Sequence, residues 1–579
     1  MHKSIFSFFL ILSSSFFILN SQPLLTPFEN NNRTTTTYQE CIAFYKNLEK
    51  SSKLVKVIEA GASDVGYPIY TVILSGKQEF SPEKTRKSGK AVLLINNGIH
   101  PGEPDGVDAS MLFAKEIVND AAKSKLLDEL TIVIIPIYNV GGSLNRNNFT
   151  RVNQNGPEEY GFRGNAQNLD LNRDFIKCDS KNAETFTKIF QSWDPDVFVD
   201  THCTDGSDYP YLMTLITSQR QKLQRQLGDF VFNTFLPAFY DKMKSAGMET
   251  IPYVNSEGDP ANGIYDFMDL PRLSSGYAAL FHTIPFVSES HMLKPFAARV
   301  NAQQILLGSL AMLCVEYKKQ ILETRKIAKE NYRTQYEIPL NWKIQNQTTD
   351  SLMFRGYEQE KMISEVTGME RIKYNRTKLY EKKIPYYNFA KPELKIQKPD
   401  AYIVPAAYQQ VIDRLKWNGV QMQSFPIDTF IDAQFYRILD YKSPAKPYEN
   451  HFLHTQVQVE ALKMRRKYYK GDYIIYTDQP SMRYIIETLE PQAPDSYFAW
   501  NFFDAVLQRK EYFSEHTFED LAAEILQYNS QLKDAFEKKK REDPVFAKDP
   551  DAMLSFIYTR SKYSEPGYMI YPVARWNTE

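Results

Sequence analysis

Four cysteines in 579 residues, no surplus of either charge and only eight histidines set the first limits on this chain. So few cysteines rule out a disulfide-built scaffold, and the chain must rely on its apolar cores. A Cys178–Cys203 bridge and buried free thiols are both open for them, with free thiols the simpler expectation. The net charge of −1, with 24% charged residues, excludes the basic excess of a nucleic-acid binder and the acidic excess of a solvated tail. Internal repeats, heptads and long low-complexity linkers are also missing.

Long apolar runs are missing too, except at the start. "MHKSIFSFFLILSSSFFILNSQ" carries a short basic beginning, an apolar stretch from Ile5 to about Leu19, and small or polar residues after it. That stretch is short for a membrane span and suits a signal peptide over residues 1–21, cleaved near Ser21. No cysteine follows to take a lipid anchor; an uncleaved N-terminal anchor is the alternative. No later segment is expected to reach the length of a membrane helix. The reading is an exported protein with no stable membrane insertion once the signal is removed.

What is present divides into two regions. From Thr35 to Lys326, short apolar runs alternate with amphipathic stretches. "AVLLIN", "LTIVIIPIYN", "DVFVDTH" and "IPFVSES" read as buried strands; "DGVDASMLFAKEIVNDA" and "ARVNAQQILLGSLAMLCVEYKKQ" read as helices. The alternation predicts an α/β domain over 35–326, with a mixed, largely parallel central sheet flanked by helices. Beyond Ala328 the texture changes, and 328–579 is expected to be a C-terminal mixed α/β domain. Within it "KMRRKYYKGD" (463–472) reads as a solvated helix end, and "KDAFEKKKRED" (533–543) as a solvent-facing helix.

Chemistry concentrates at strand ends. "NNGIHPGEPDG" puts His100 and Glu103 three residues apart on a turn after "AVLLI". A metal explains two polar groups on so tight a turn if a third ligand exists. His202, just after "DVFVD", is that candidate. Two histidines and a carboxylate with a fourth position open is a catalytic zinc pattern. Ligands of such sheets gather at the carboxyl ends of strands, where His100, His202 and Glu289 all fall. Between them lie Arg151 in "TRVNQNG" and Asn172–Arg173 in "NLDLNRDF". Guanidinium is the natural partner of a free carboxylate or a developing oxyanion.

With these motifs in order, the chain resembles the M14 zinc carboxypeptidases, the carboxypeptidase A-like metallopeptidases, over about Tyr38 to Ala311. The resemblance implies one Zn²⁺ per chain held by His100, Glu103 and His202, with Asp170 orienting the His100 ring. It implies Glu289 as general base toward a zinc-activated water, and Arg151 as the stabiliser of the oxyanion. Asn172 and Arg173 would clamp the C-terminal carboxylate of a peptide substrate, and Tyr277 would close over it. Only eleven residues separate Tyr277 from Glu289, tighter than in digestive members of the family. His291, two residues beyond Glu289, reads as structural. Cys203 should point away from the metal, and the "HFLH" pair His451 and His454 reads as surface. About fifteen residues separate the signal from the domain, too few for a folded inhibitory pro-segment. The C-terminal region looks like the long extensions of some bacterial exported members. The implied activity is hydrolysis of the C-terminal peptide bond. Two alternatives remain at this point: the same chemistry on cell-wall peptides or isopeptides, and an inactive protein that binds peptide termini. The oligomeric state is not legible.

Overall fold

A computed structural model describes residues 24–204, 206–346 and 350–577. The signal-peptide reading of residues 1–21 lies outside the described residues. Eight strands form the first sheet: β1 (Val55–Ala62), β2 (Pro68–Leu74), β3 (Ala91–Asn96), β4 (Leu130–Ile135), β5 (Val197–Thr204), β6 (Met213–Thr217), β7 (Thr250–Pro252) and β8 (Ile284–His291). Their order is β1-β2-β4-β3-β5-β8-β6-β7. The middle four, β4-β3-β5-β8, run parallel, while β1, β2 and β6 pair antiparallel. Strands covered on both faces read as unbroken apolar runs. β3 and β4 are buried at every residue, which is why "AVLLIN" and "LTIVII" were legible.

Helices α1 (Tyr38–Ser51), α2 (Asp105–Asn119), α3 (Lys181–Trp193), α4 (Ser274–Leu280), α5 (Phe296–Glu316) and α6 (Lys318–Thr334) accompany the sheet. Thr37 opens α1 with a reciprocal capping box to Glu40, satisfying two N–H groups that the first turn leaves free. α5 corrects one expectation: it is long and apolar enough to cross a membrane by length and composition, with a mean hydropathy of 1.2. Its apolar side chains are instead spent on the core, since Leu306, Leu307 and Leu310 are fully buried. Arg299 on α5 forks onto both oxygens of Asp105 (2.9 and 3.2 Å), so the helix carries a buried ion pair at the start of α2.

The remainder is rich in long strands: β9 (Glu337–Ile344), β10 (Asp350–Ile363), β11 (Glu370–Tyr387), β12 (Ala390–Gln397), β13 (Ala401–Val404), β14 (Gln423–Ser424), β15 (Thr429–Lys442), β16 (Thr455–Tyr468), β17 (Tyr473–Tyr476) and β18 (Ala574–Trp576). Six of them make a sheet ordered β14-β17-β13-β18-β15-β16. Helices α7 (Gln409–Trp417), α8 (Met482–Leu489), α9 (Glu515–Tyr528), α10 (Ser530–Glu542) and α11 (Pro550–Tyr558) complete this mixed α/β half. "KDAFEKKKRED" is helical as expected, within α10. "KMRRKYYKGD" is not a helix end: Lys463 to Tyr468 close strand β16, paired along β15. The change of texture at Ala328 falls inside α6, whose Tyr332 joins the core. One apolar cluster runs from Tyr45 and Leu93 through Tyr277 to Ile412, Tyr484 and Trp500, so both halves share a core. All four cysteines are buried and free; Cys178 and Cys203 are not bridged.

Candidate metal centre and active site

The turn that carries His100 and Glu103 is closed by the Glu103 N–H donating to the His100 carbonyl at 2.8 Å. Its glycines are there for room. A Cβ on Gly102 would stand 2.6 Å from Cδ of Arg151, and one on Gly106 would stand 2.0 Å from the Thr201 hydroxyl. Only without those side chains can the turn lie under Arg151 and the first turn of α2 lie against β5.

Folding brings the three separated residues together. One donor atom from each of His100, Glu103 and His202 lies within 4.8 Å of the others, and all three residues are buried. Glu103 Oε1 is 3.3 Å from His100 Nδ1, and Oε2 is 3.1 Å from His202 Nδ1. Ligands about 2.1 Å from a tetrahedral zinc stand about 3.4 Å apart, and each imidazole Nδ1 stands about that far from one oxygen of Glu103, the two contacts falling on different oxygens of the carboxylate. Each ring turns Nε2 to a carboxylate: His100 to Asp170 at 2.9 Å, His202 to Asp200 at 3.0 Å. That fixes the tautomer and aims Nδ1 inward as a ligand. His100 Nδ1 is buried with no hydrogen-bond partner, an orphan that a cation satisfies. Burial by itself would raise the Glu103 carboxyl, but the charges of His100 and Arg151 hold it well below the usual range. The donor set therefore fits zinc.

Asp200 is a residue the sequence reading missed. The signal was available: in "DVFVDTH" a strand period of two puts Asp200 and His202 on one face. Register does the same for the next group. β5 and β8 run parallel with His202 opposite Glu289, so the two side chains lie side by side at the strand ends. Glu289, His100, Glu103, His202, Asn172 and Arg173 line one cavity of about 250 Å³. Burial pushes the Glu289 carboxyl up to about 8; His202 opposes this, and Glu103 and Asp200 add to it.

Asn172 and Arg173 follow Asp170 on a short turn, with the Asp170 carboxylate accepting from Asn172 N at 2.9 Å. Asn172 Oδ1 accepts from Ser274 N (3.1 Å), and Arg173 Nη1 donates to the Asn172 carbonyl (2.8 Å). Both side chains are thus set at the cavity wall.

Other assignments need correction. Tyr277 is fully buried in α4 among Phe175, Phe190 and Phe281, and its hydroxyl donates to Asn418 at 2.6 Å. It is a core residue of the interface between the halves and does not border the cavity. Arg151 contacts Glu103 Oε1 at 3.1 Å and lines an adjoining hollow that Glu103, Arg163 and Cys203 also border. The arginine that borders the cavity with the triad is Arg163, which the sequence reading passed over. Arg163 reaches Asp170 Oδ2 (2.9 Å) and Glu103 Oε1 (3.4 Å). It lies seven positions before Asp170, in the same "RGNAQNLDLNR" stretch that holds Asn172 and Arg173.

His291 is buried, its ring 4.3 Å from that of Tyr209, outside the cavity; burial drives it down to about 3, a structural histidine. Cys203 is not among the clustered donors and presents its backbone N–H to Glu103 Oε2 at 2.9 Å. His451 and His454 are not surface residues. They bind Asp179 (2.7 Å) and Asp504 (2.9 Å), and His454 is buried.

Parts of the sequence are similar to those of known proteins. Residues 41–203 match the zinc carboxypeptidase family. Carboxypeptidase 2 of Trichophyton rubrum is 21% identical over 475 residues, covering 78% of this chain and 81% of that protein. Carboxypeptidase 2 of Trichophyton equinum is 22% identical over 431 residues, covering 71% and 73%. Among solved structures, a metallo-carboxypeptidase from Burkholderia cenocepacia matches 49% of this chain and 70% of its own, at 18% identity and a TM-score of 0.37.

Proposed function

We propose that this chain, which carries a zinc carboxypeptidase domain and is a metallocarboxypeptidase hydrolase, removes single residues from the C-termini of peptides with Glu289 as general base. The observation that carries the reading is the pairing of His202 with Glu289 across β5 and β8, beside two inward-facing imidazole nitrogens and Glu103.

His100, Glu103 and His202 would hold one zinc ion. When bound, zinc acidifies a water and polarises the scissile carbonyl. Arg173 and Asn172 receive the substrate's terminal carboxylate; the Arg173 guanidinium keeps Nη2 without a partner among the described residues. Arg163, permanently charged and beside the triad, donates to the oxygen on which negative charge builds. Glu289 takes the proton of the attacking water and hands it to the departing amine as the C–N bond breaks. We read the apolar N-terminal segment as an export signal, and on that reading the reaction runs outside the cytoplasm.

Glu289→Gln tests the assignment. Zinc content should match the parent protein, while turnover of a blocked dipeptide falls about 10²–10⁴-fold. His202→Ala should lose zinc together with activity. Near-normal hydrolysis by zinc-loaded Glu289→Gln removes Glu289 from the mechanism.

A further inference from the structure

The segment joining β15 to β16 folds back over the catalytic half and ends in a tight turn at Tyr448–His451. Tyr448 and His451 exchange backbone hydrogen bonds of 2.7 and 3.0 Å, and the two residues between them, Glu449 and Asn450, both sit in the left-handed region at φ 50° and 68°. Glutamate rarely adopts that conformation, so contacts around the tip hold it there. His451 binds Asp179, and Phe452 N donates to Asn501. The Tyr448 ring lies along that of Trp500, with the Arg272 guanidinium over both rings.

The tip meets the active-site turn twice. Arg173 Nε donates to the Tyr448 hydroxyl at 3.0 Å, and Asp170 N donates to Glu449 Oε2 at 2.8 Å. These contacts join positions separated by 275 and 279 residues. Arginine has a long, mobile side chain, and freezing it on binding costs affinity. Here Nε and Nη1 are already held, by Tyr448 and by the Asn172 carbonyl, which leaves Nη2 of a side chain that lines the cavity.

We propose that the Tyr448–His451 tip of the C-terminal half is a positioning element of the substrate-carboxylate site. Tyr448 pre-orients Arg173, and Glu449 steadies the Asp170–Arg173 turn from behind. The inference rests on the reading of Arg173 as the carboxylate clamp. The C-terminal half then acts on substrate affinity through residues that touch no substrate.

Tyr448→Phe keeps the ring on Trp500 and removes only the oxygen. With N-blocked dipeptides, its KM should rise about tenfold while kcat stays within about twofold. Inhibition by an N-acyl amino acid, which carries a free carboxylate, should weaken by the same factor. Inhibition by acetohydroxamic acid, a metal binder with no carboxylate, should not change. Arg173→Ala should raise KM further, and the double variant should be no worse than Arg173→Ala alone. If Tyr448→Phe leaves KM unchanged while Arg173→Ala raises it, the positioning role is wrong and the clamp stands. If Arg173→Ala leaves KM unchanged, the clamp reading and this inference fall together. Equal weakening of both inhibitors by Tyr448→Phe contradicts the inference, because it reports general damage to the site.

Discussion

Arg163 and Arg151 both touch Glu103 Oε1, at 3.4 and 3.1 Å; Arg163 borders the cavity that the whole triad lines, and Arg151 the hollow that adjoins it at Glu103. Arg163→Ala should lower kcat about 10²–10³-fold, and Arg151→Ala should chiefly weaken zinc retention; steady-state kinetics and metal analysis of the two proteins separate the roles. The confusion between them has a local cause. "RVN" at 151 and "RGN" at 163 are near-identical triplets, and only the fold shows that both reach Glu103. His100 and Glu103 were legible because their spacing sets the site within one turn, and Glu289 because it ends an apolar run. Tyr277 was not, since its depth depends on Asn418, 141 residues away. A buried carboxyl away from the site gives a pH test. Burial pushes Asp108 up to about 7, against donation from Thr35 and Thr36. The folded chain therefore binds that proton more tightly than the unfolded chain. The resulting stability is full below about pH 4 and is lost as pH rises through about 7. Urea unfolding across that window should show a decline that Asp108→Asn flattens.

At the scale of elements, the contact between α2 and β5 decides whether the turn and His202 can share an ion. Gly106 lets the helix start against Thr201, so Gly106→Ala should destabilise the protein by about 1–3 kcal/mol and lower zinc affinity. Denaturant midpoints with and without zinc measure both effects. Loss of neither would mean that the helix start shifts without cost. The parallel strands could be read from sequence because they are covered on both faces. The hairpins β10–β11 and β15–β16 could not. Their exposed residues mix lysines, arginines and glutamates with Met353, Ile372 and Leu379, a composition that also suits a helix surface.

Across the whole molecule, the two halves are joined by buried polar contacts as well as apolar ones. Arg414 donates to the Lys177 carbonyl (2.6 Å), Arg483 to that of Ala279 (3.1 Å), and Tyr277 to Asn418 (2.6 Å). Removing one side leaves unpaired groups and bare core on the other. A fragment ending at Thr334 should therefore lack cooperative unfolding and bind a hydrophobic dye, whereas the full chain should do neither. Such a fragment folding normally would contradict the shared core.

The proposed carboxypeptidase needs one cation where β3, β5 and β8 end, in a cavity that accepts a peptide's C-terminus. Mass spectrometry of an N-blocked peptide incubated with the purified, zinc-loaded protein tests it most directly. Masses should fall one C-terminal residue at a time, stop on adding a chelator and resume on restoring zinc, and a C-terminally amidated copy of the peptide should stay intact. Cleavage that ignores the chelator, or that proceeds equally on the amidated peptide, would contradict it.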